Sequence, residues 1–414
     1  MPRGINAGDT AWMFAATALV LLMTPALGLF YAGLVRVKNT LNTFMMCVAA
    51  LAVATVTWAA IGYSLAFNGD SGFVGGLGNA FLHDVTFAPR DGTHIPHLLF
   101  FAFQATFCIV TTALVSGAVV ERMRFGPFLA FAALWSVLVY GVMAHWAFGG
   151  GFLQSHGTLD FAGGVPVEMA SGFSALAAAL AVGARRDYGR LALLPHNAIY
   201  VLLGAGLLWF GWFGFNGGSG FSTGNAGVLA FVNTLLTPAC TLATWMVLDV
   251  LRSRQVTAIG AATAIVVGCV GITPAAGFVS PGWAMVLGVV AAVPSYAVIM
   301  LRPRSRVDET LDVLAAHGVA GFTGILFIGF FAQKGWNGIS DGLLYGNASQ
   351  LGHQALAALV APVYAFCATF VLLKLIGLFA PLRVQDGEEA LGLDIVSHGE
   401  EAYPAGEGAI LVPV

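Results

Sequence analysis

The chain has 414 residues, 58% of them hydrophobic and only 9% charged, with a mean hydropathy of +0.85. A soluble protein carries about a quarter of its residues charged, so this composition excludes a water-soluble enzyme, a disordered chain and a nucleic-acid binder. What remains is an all-α polytopic membrane protein, in which a formal net charge of −3 identifies no partner. The 53 glycines predict close helix packing, because small residues let backbones approach where lipid supplies no hydrophobic drive between helices. Five cysteines lie singly in apolar runs with no metal-type spacing, so they read as small core residues, with neither disulfide nor metal site expected.

A crossing helix needs about 20 mostly apolar residues, and eleven segments supply them: 10-34, 41-66, 97-119, 125-147, 162-183, 198-215, 226-250, 257-277, 282-301, 311-331 and 353-381. The odd-numbered loops and the tail hold 13 of the 17 basic residues, among them Arg36, Arg122, Arg185, Arg252, Arg304 and Arg383. The even-numbered loops hold only Arg90 and Lys334, with Arg3 ahead of the first span. Lys and Arg in short loops stay cytoplasmic, which places the N-terminus outside and the C-terminus inside. Residues 1-382 are expected to form one transmembrane domain and 383-414 a cytoplasmic tail. No cleavable signal is read in the short segment before the first span.

Glu168-x-x-x-Gly172-Phe173 and His317-x-x-x-Gly321-Phe322 match at an offset of 149, which also relates Asp160 to Glu309. The fifth and tenth spans therefore look equivalent. The two are five spans apart in order, an odd number, so the halves 10-183 and 198-331 run inverted, with 353-381 added. Ionisable groups inside a bilayer are costly and usually face a path or each other, which singles out Glu168 and His317 about two turns into their helices. A lone buried histidine is more often a satisfied packing residue, but two repeat-related ionisable groups form a candidate proton relay that titrates as a unit. Asp160, at the start of its helix, reads first as an N-cap. Asp312 stands near the inner end of the tenth span.

Aromatic residues form the second pattern. Phe103 and Phe107 share one face at i, i+4, and Phe148 and the run Trp212-Phe213-Gly214-Phe215-Asn216-Gly217-Gly218-Ser219 end the fourth and sixth spans. Aromatic faces attract ammonium-type cations by about 0.5–2 kcal/mol, although aromatics at span ends commonly form interfacial belts.

The chain resembles the ammonium transporter (Amt/Mep/Rh) family over nearly its whole length. The resemblance runs from Asp9-Thr10-Ala11-Trp12 through Gly28-Leu29-Phe30-Tyr31-Ala32-Gly33-Leu34 and Gly211-Trp212-Phe213-Gly214-Phe215-Asn216 to Gly392-Leu393-Asp394-Ile395-Val396-Ser397-His398-Gly399-Glu400, with Asp160-Phe161-Ala162-Gly163-Gly164 opening the family signature. It implies that Phe107 and Phe215 are the stacked gate, that Phe103, Phe107, Phe148 and Ser219 form the external ammonium site, and that Asp160 supports that site. It makes His317 one half of a pore histidine pair. It further implies a homotrimer in the cell membrane, a tail segment Gly392-Tyr403 docked on the cytoplasmic face and, in many bacterial members, a PII-type signal protein as partner. Two residues depart from the family pattern. Glu168 stands where the first pore histidine is usual, a substitution shared with some fungal members, and Phe148 where many members have Trp. Trp146, two residues away, should face elsewhere.

The expectation is a transporter without cofactor or catalytic site. Ammonium is captured outside and deprotonated at the gate, and ammonia passes along an apolar pore while Glu168 and His317 carry the proton. The alternatives are passage of intact ammonium, with a potassium leak, past an ionised Glu168, and an ammonium sensor with little flux. An intramembrane enzyme is disfavoured because no nucleophile or metal cluster is visible.

Overall fold

The computed structural model describes residues 4–69 and 71–403. Arg3 and tail residues 404–414 lie outside the described residues. Within them the chain is all-helical, with two isolated β-bridges and no strand. In lipid no water satisfies exposed backbone groups, so a helix, which pairs them internally, is the available spanning form.

The spans are α1 (Ala7–Leu34), α2 (Val37–Phe67), α3 (His97–Ser116), α4 (Phe125–Trp135, continued through Ser136–Gly141 into Val142–Phe148), α5 (Gly164–Val182), α6 (Ala198–Gly218), α7 (Asn225–Ser253), α8 (Ala258–Ile272), α9 (Pro281–Leu301), α10 (Leu314–Phe331) and α11 (Ala348–Phe379). Ten are long and apolar enough to cross a membrane. Helix α8 is the exception. The expected span 257-277 stops early at Ile272 because Pro274 has no N–H to continue the ladder, and turns carry the chain on through Phe278. Side-chain caps fix several starts: Asn6 accepts from Asp9 N at 3.0 Å, Asn197 from Tyr200 N at 3.1 Å and Thr257 from Gly260 N at 3.0 Å.

The two halves meet in matching ways. Helix α6 packs along α1, where a Cβ on Gly204 would lie 2.6 Å from Phe30 N. Helices α5 and α10 both begin with a π-helical turn, Gly164–Met169 and Leu314–Val319. Such turns recur at functional sites. The two helices touch reciprocally: Gly172 lies against Gly318, and its repeat mate Gly321 lies against Glu168. Side chains at these glycines would hold the helices apart.

On the face opposite Asp160 the tail folds into α12 (Asp386–Leu391) and α13 (Leu393–His398). Asp394 accepts from Leu41 N at 3.0 Å and Asn42 N at 2.7 Å, which caps the start of the helical part of α2 beginning at Thr40. Beneath the tail, Glu121 pairs with Arg36 at 3.0 Å and Arg185 at 2.6 Å, and Arg185 also pairs with Asp308 at 2.8 Å.

Candidate functional site

Three cavities follow one another through the bundle. The first is a vestibule of about 680 Å³ whose lining includes Gln104, Phe107, Phe148, Asp160, Phe161 and Ser219. At its floor Phe107 and Phe215 stack, with ring centroids 4.0 Å apart and planes 24° apart, and each is about 1% exposed. Below them lies a narrow space of about 20 Å³ lined by Phe215, Trp212, Val167, Leu208, Glu168 and His317. That volume holds about one water-sized molecule. The third, about 190 Å³, opens toward the tail face and shares Phe30, Val266 and His317 with the second. His317 therefore borders both inner cavities.

At the centre, His317 Nδ1 and Glu168 Oε2 stand 2.8 Å apart, both residues buried. The proton between them can sit on either group: an ionised Glu168 accepts from Nδ1–H, and a protonated Glu168 donates to a neutral Nδ1. The second oxygen, Oε1, has no partner among the described residues. A buried acceptor left open in this way costs about 1–3 kcal/mol.

Asp160 explains how α5 is held. Its Oδ1 accepts from Gly163 N at 2.9 Å and Gly164 N at 2.7 Å, and its Oδ2 from Val165 N at 2.8 Å. The carboxylate thus caps the π-turn that carries Glu168, and Gly163, at φ 115°, supplies the left-handed residue the turn requires. Phe161 N donates to Pro274 O at 3.0 Å, so the break in α8 also positions this corner.

Phe107, Phe148, Ser219 and Asp160 come together in the vestibule lining. Ser219 Oγ donates to Phe215 O at 2.8 Å, which leaves its oxygen able to accept. Phe103 shares Phe107's face, as its spacing requires, but sits behind it. It is wholly buried, 4.9 Å from the Phe107 ring, and Phe221 covers it. Trp146 faces away, its indole donating to Phe73 O at 2.8 Å and its ring lying against Tyr364. Gln104 is a lining residue the sequence reading passed over. The available signal was an amide set in an apolar span, one turn before Phe107. Trp212 Nε1 donates to Thr273 Oγ1 at 2.8 Å, which ties the gate helix α6 to the end of α8. Among the described residues no group of three or more His, Cys, Asp or Glu could hold a metal ion.

A family model described as the Ammonium Transporter Family matches residues 11–403. The chain is 44% identical over 399 residues to the ammonium transporter of Bacillus subtilis (strain 168), covering 96% of this chain and 98% of that one. Among solved structures, Saccharomyces cerevisiae Mep2 matches with a TM-score of 0.91 at 35% identity, covering 100% of this chain and 95% of that one. A protein named Sensor Amt Protein matches with a TM-score of 0.88 at 28% identity, covering 94% and 98%.

Proposed function

The chain belongs to the ammonium transporter family and is a multi-pass membrane transporter, not an enzyme; from that premise we propose how it moves ammonium. The vestibule captures NH4+ between the aromatic faces of Phe107 and Phe148 and the Ser219 oxygen. Burying an isolated cation in a dry pore is prohibitive, whereas neutral NH3 crosses cheaply, so the proton leaves at the Phe107/Phe215 gate. Glu168 and His317 then carry that proton while NH3 occupies the narrow cavity. The observation that supports this most directly is the 2.8 Å Glu168–His317 contact on the wall of a cavity sized for one small molecule. Asp160 acts through the backbone, by holding the π-turn that aims Glu168.

The same reading makes residues 1-382 the transmembrane domain and 383-414 its tail, with the vestibule outside and the tail inside, supported by the basic residues of the odd-numbered loops. It includes assembly as a homotrimer and regulation by a PII-type protein at the tail face. A second reading, passage of intact NH4+ with potassium leak, draws on the open Oε1 of Glu168, which would hold a cation if ionised.

The test is ammonium-evoked current from purified protein in liposomes on a solid-supported membrane, with wild type compared to Glu168→His and each given a potassium pulse. Deprotonation predicts a current with ammonium alone that survives Glu168→His. A potassium current that disappears in Glu168→His would overturn it in favour of the cation pathway. Silence to both pulses with ammonium still bound would mean a sensor.

A further inference from the structure

We propose that Asp312 and Glu309 form a proton exit on the tail face, which takes the proton from His317 and releases it by a route separate from that of ammonia. The proposal rests on the relay reading above and adds where the proton goes after His317.

Two adjoining chambers meet at Asp312 and Arg302. Asp312 and His317 line the same tail-facing cavity, and Asp312 also lines a neighbouring chamber of about 280 Å³ together with Glu309, Ser305 and Leu314. Arg302 borders both chambers. Its Nε lies 2.8 Å from Asp312 Oδ1, yet neither atom makes a hydrogen bond among the described residues, so the pair attracts without locking the carboxyl in place. Asp312 thus stands between the pore and Glu309.

Glu309 caps its turn less completely than its repeat mate does. Its mate Asp160 receives three backbone N–H groups at 2.7 to 2.9 Å, and both its oxygens are used. Glu309 Oε2 accepts from Leu314 N at 3.2 Å, the counterpart of the Asp160–Val165 bond, while Oε1 has no partner among the described residues although the residue is 3% exposed. Capping alone does not account for a longer side chain with a buried free oxygen. A proton or a bridging water completes it.

Charge supports the same roles. Burial and repulsion from Asp312 push Glu309 up to about 7, against the pull of Arg302 and of the backbone N–H groups of Val313 and Leu314. Glu309 therefore exchanges its proton near neutral pH, beside the Asp312 carboxyl. The other titratable groups facing them are Tyr31 from α1 and His317 from α10, both on the tail-facing cavity. Arg122 sits behind, donating to Thr310 Oγ1 at 2.6 Å and Asp308 O at 2.6 Å.

The proton balance closes. The His317 imidazolium gives its proton through cavity water to the Asp312 carboxylate, and the resulting carboxylic acid passes it to Glu309. Glu309 releases it to solvent at the tail face. NH3 leaves past Tyr31 and Thr310 and takes a proton from that solvent, so one NH3 and one H+ have crossed.

The test uses the full chain in liposomes, with ammonium-evoked current recorded across pH. Glu309→Gln keeps the shape and the acceptor for Leu314 N but cannot carry a proton, and it should reduce current about tenfold or more, as should Asp312→Asn. Glu309→Asp should restore most of it with a displaced pH profile. Wild-type amplitude and pH profile in both neutral variants would overturn the exit. Equal loss in Glu309→Gln and Glu309→Asp, with melting temperatures unchanged, would assign Glu309 to structure and also overturn it. Loss of current in His317→Ala alongside normal current in Glu309→Gln would refute the exit only, whereas normal current in His317→Ala would refute the relay beneath it.

Discussion

Replacing Gly172 with alanine tests whether the crossing of α5 and α10 sets the pore chemistry. An added Cβ would lie 2.2 Å from Gly318 N, 2.3 Å from Gly318 Cα and 3.2 Å from the carbonyl carbon of His317. All three are backbone atoms, so no side chain can swing aside. Ordinary contact begins near 3.4 Å, so the helices must separate by about 1 Å at the point where His317 faces Glu168. Opening the 2.8 Å contact by that much takes it out of hydrogen-bond range. Overpacking of this kind costs about 1–3 kcal/mol, and a 1 Å misplacement can cost about a hundredfold in rate. The assay pairs thermal unfolding in detergent with ammonium-evoked current. Gly172→Ala should lower both, while Gly206→Ala, where nothing lies within 4 Å, should lower neither. A Gly172→Ala protein with wild-type melting temperature and current would show that the crossing does not set the Glu168–His317 distance.

Asp160→Ala removes the acceptor from three backbone N–H groups and should cost about 1–3 kcal/mol, read as a lower melting temperature, with current lost because the π-turn carrying Glu168 is no longer held. Retained stability would mean water replaces the cap. Glu121 predicts an acid limit. Burial opposes its charge, but Arg185 and Arg36 outweigh burial and hold the carboxyl below its usual range. A depressed folded value contributes stability that is fully present above the unfolded value of about 4.3 and is lost as pH falls through the folded one. The melting temperature should therefore drop below about pH 4, and Glu121→Gln should shift that drop while destabilising at neutral pH by about 3–5 kcal/mol, because Arg185 and Arg36 lose their shared partner. An unchanged acid profile in Glu121→Gln would remove the network from the account.

The spans were legible because about 20 apolar residues are required for crossing whatever the tertiary contacts, and ten of eleven met that length as helices. The eighth overran because hydropathy registers Pro274-Ala275-Ala276-Gly277 as apolar and does not register the missing N–H. Glu168 and His317 stood out for the same reason the spans did, as ionisable groups in apolar runs, and the offset of 149 paired them. Their contact distance was not legible, since it depends on Gly172 meeting Gly318 across the repeat axis. Phe103 marks another limit. Spacing placed it on Phe107's face, but whether it met the vestibule or lay behind depended on Phe221, which arrives from a distant loop.

Duplication supplies the scaffold, and the positions where the halves diverge give the path its direction. The shared features are the π-turn at the start of α5 and α10, a carboxylate below each, and a glycine of each helix laid against the other. The carboxylates differ in how far they are satisfied: Asp160 spends both oxygens on backbone, whereas Glu309 keeps one free beside Asp312. The central pair differs in chemistry, since glutamate is an anion or a neutral acid and histidine is neutral or a cation. A symmetric pair would present the same electrostatics to both mouths. Of the three cavities, Glu168 borders the narrow one and His317 borders that one and the tail-facing one, so a proton that has reached His317 already stands at the wall shared with Asp312.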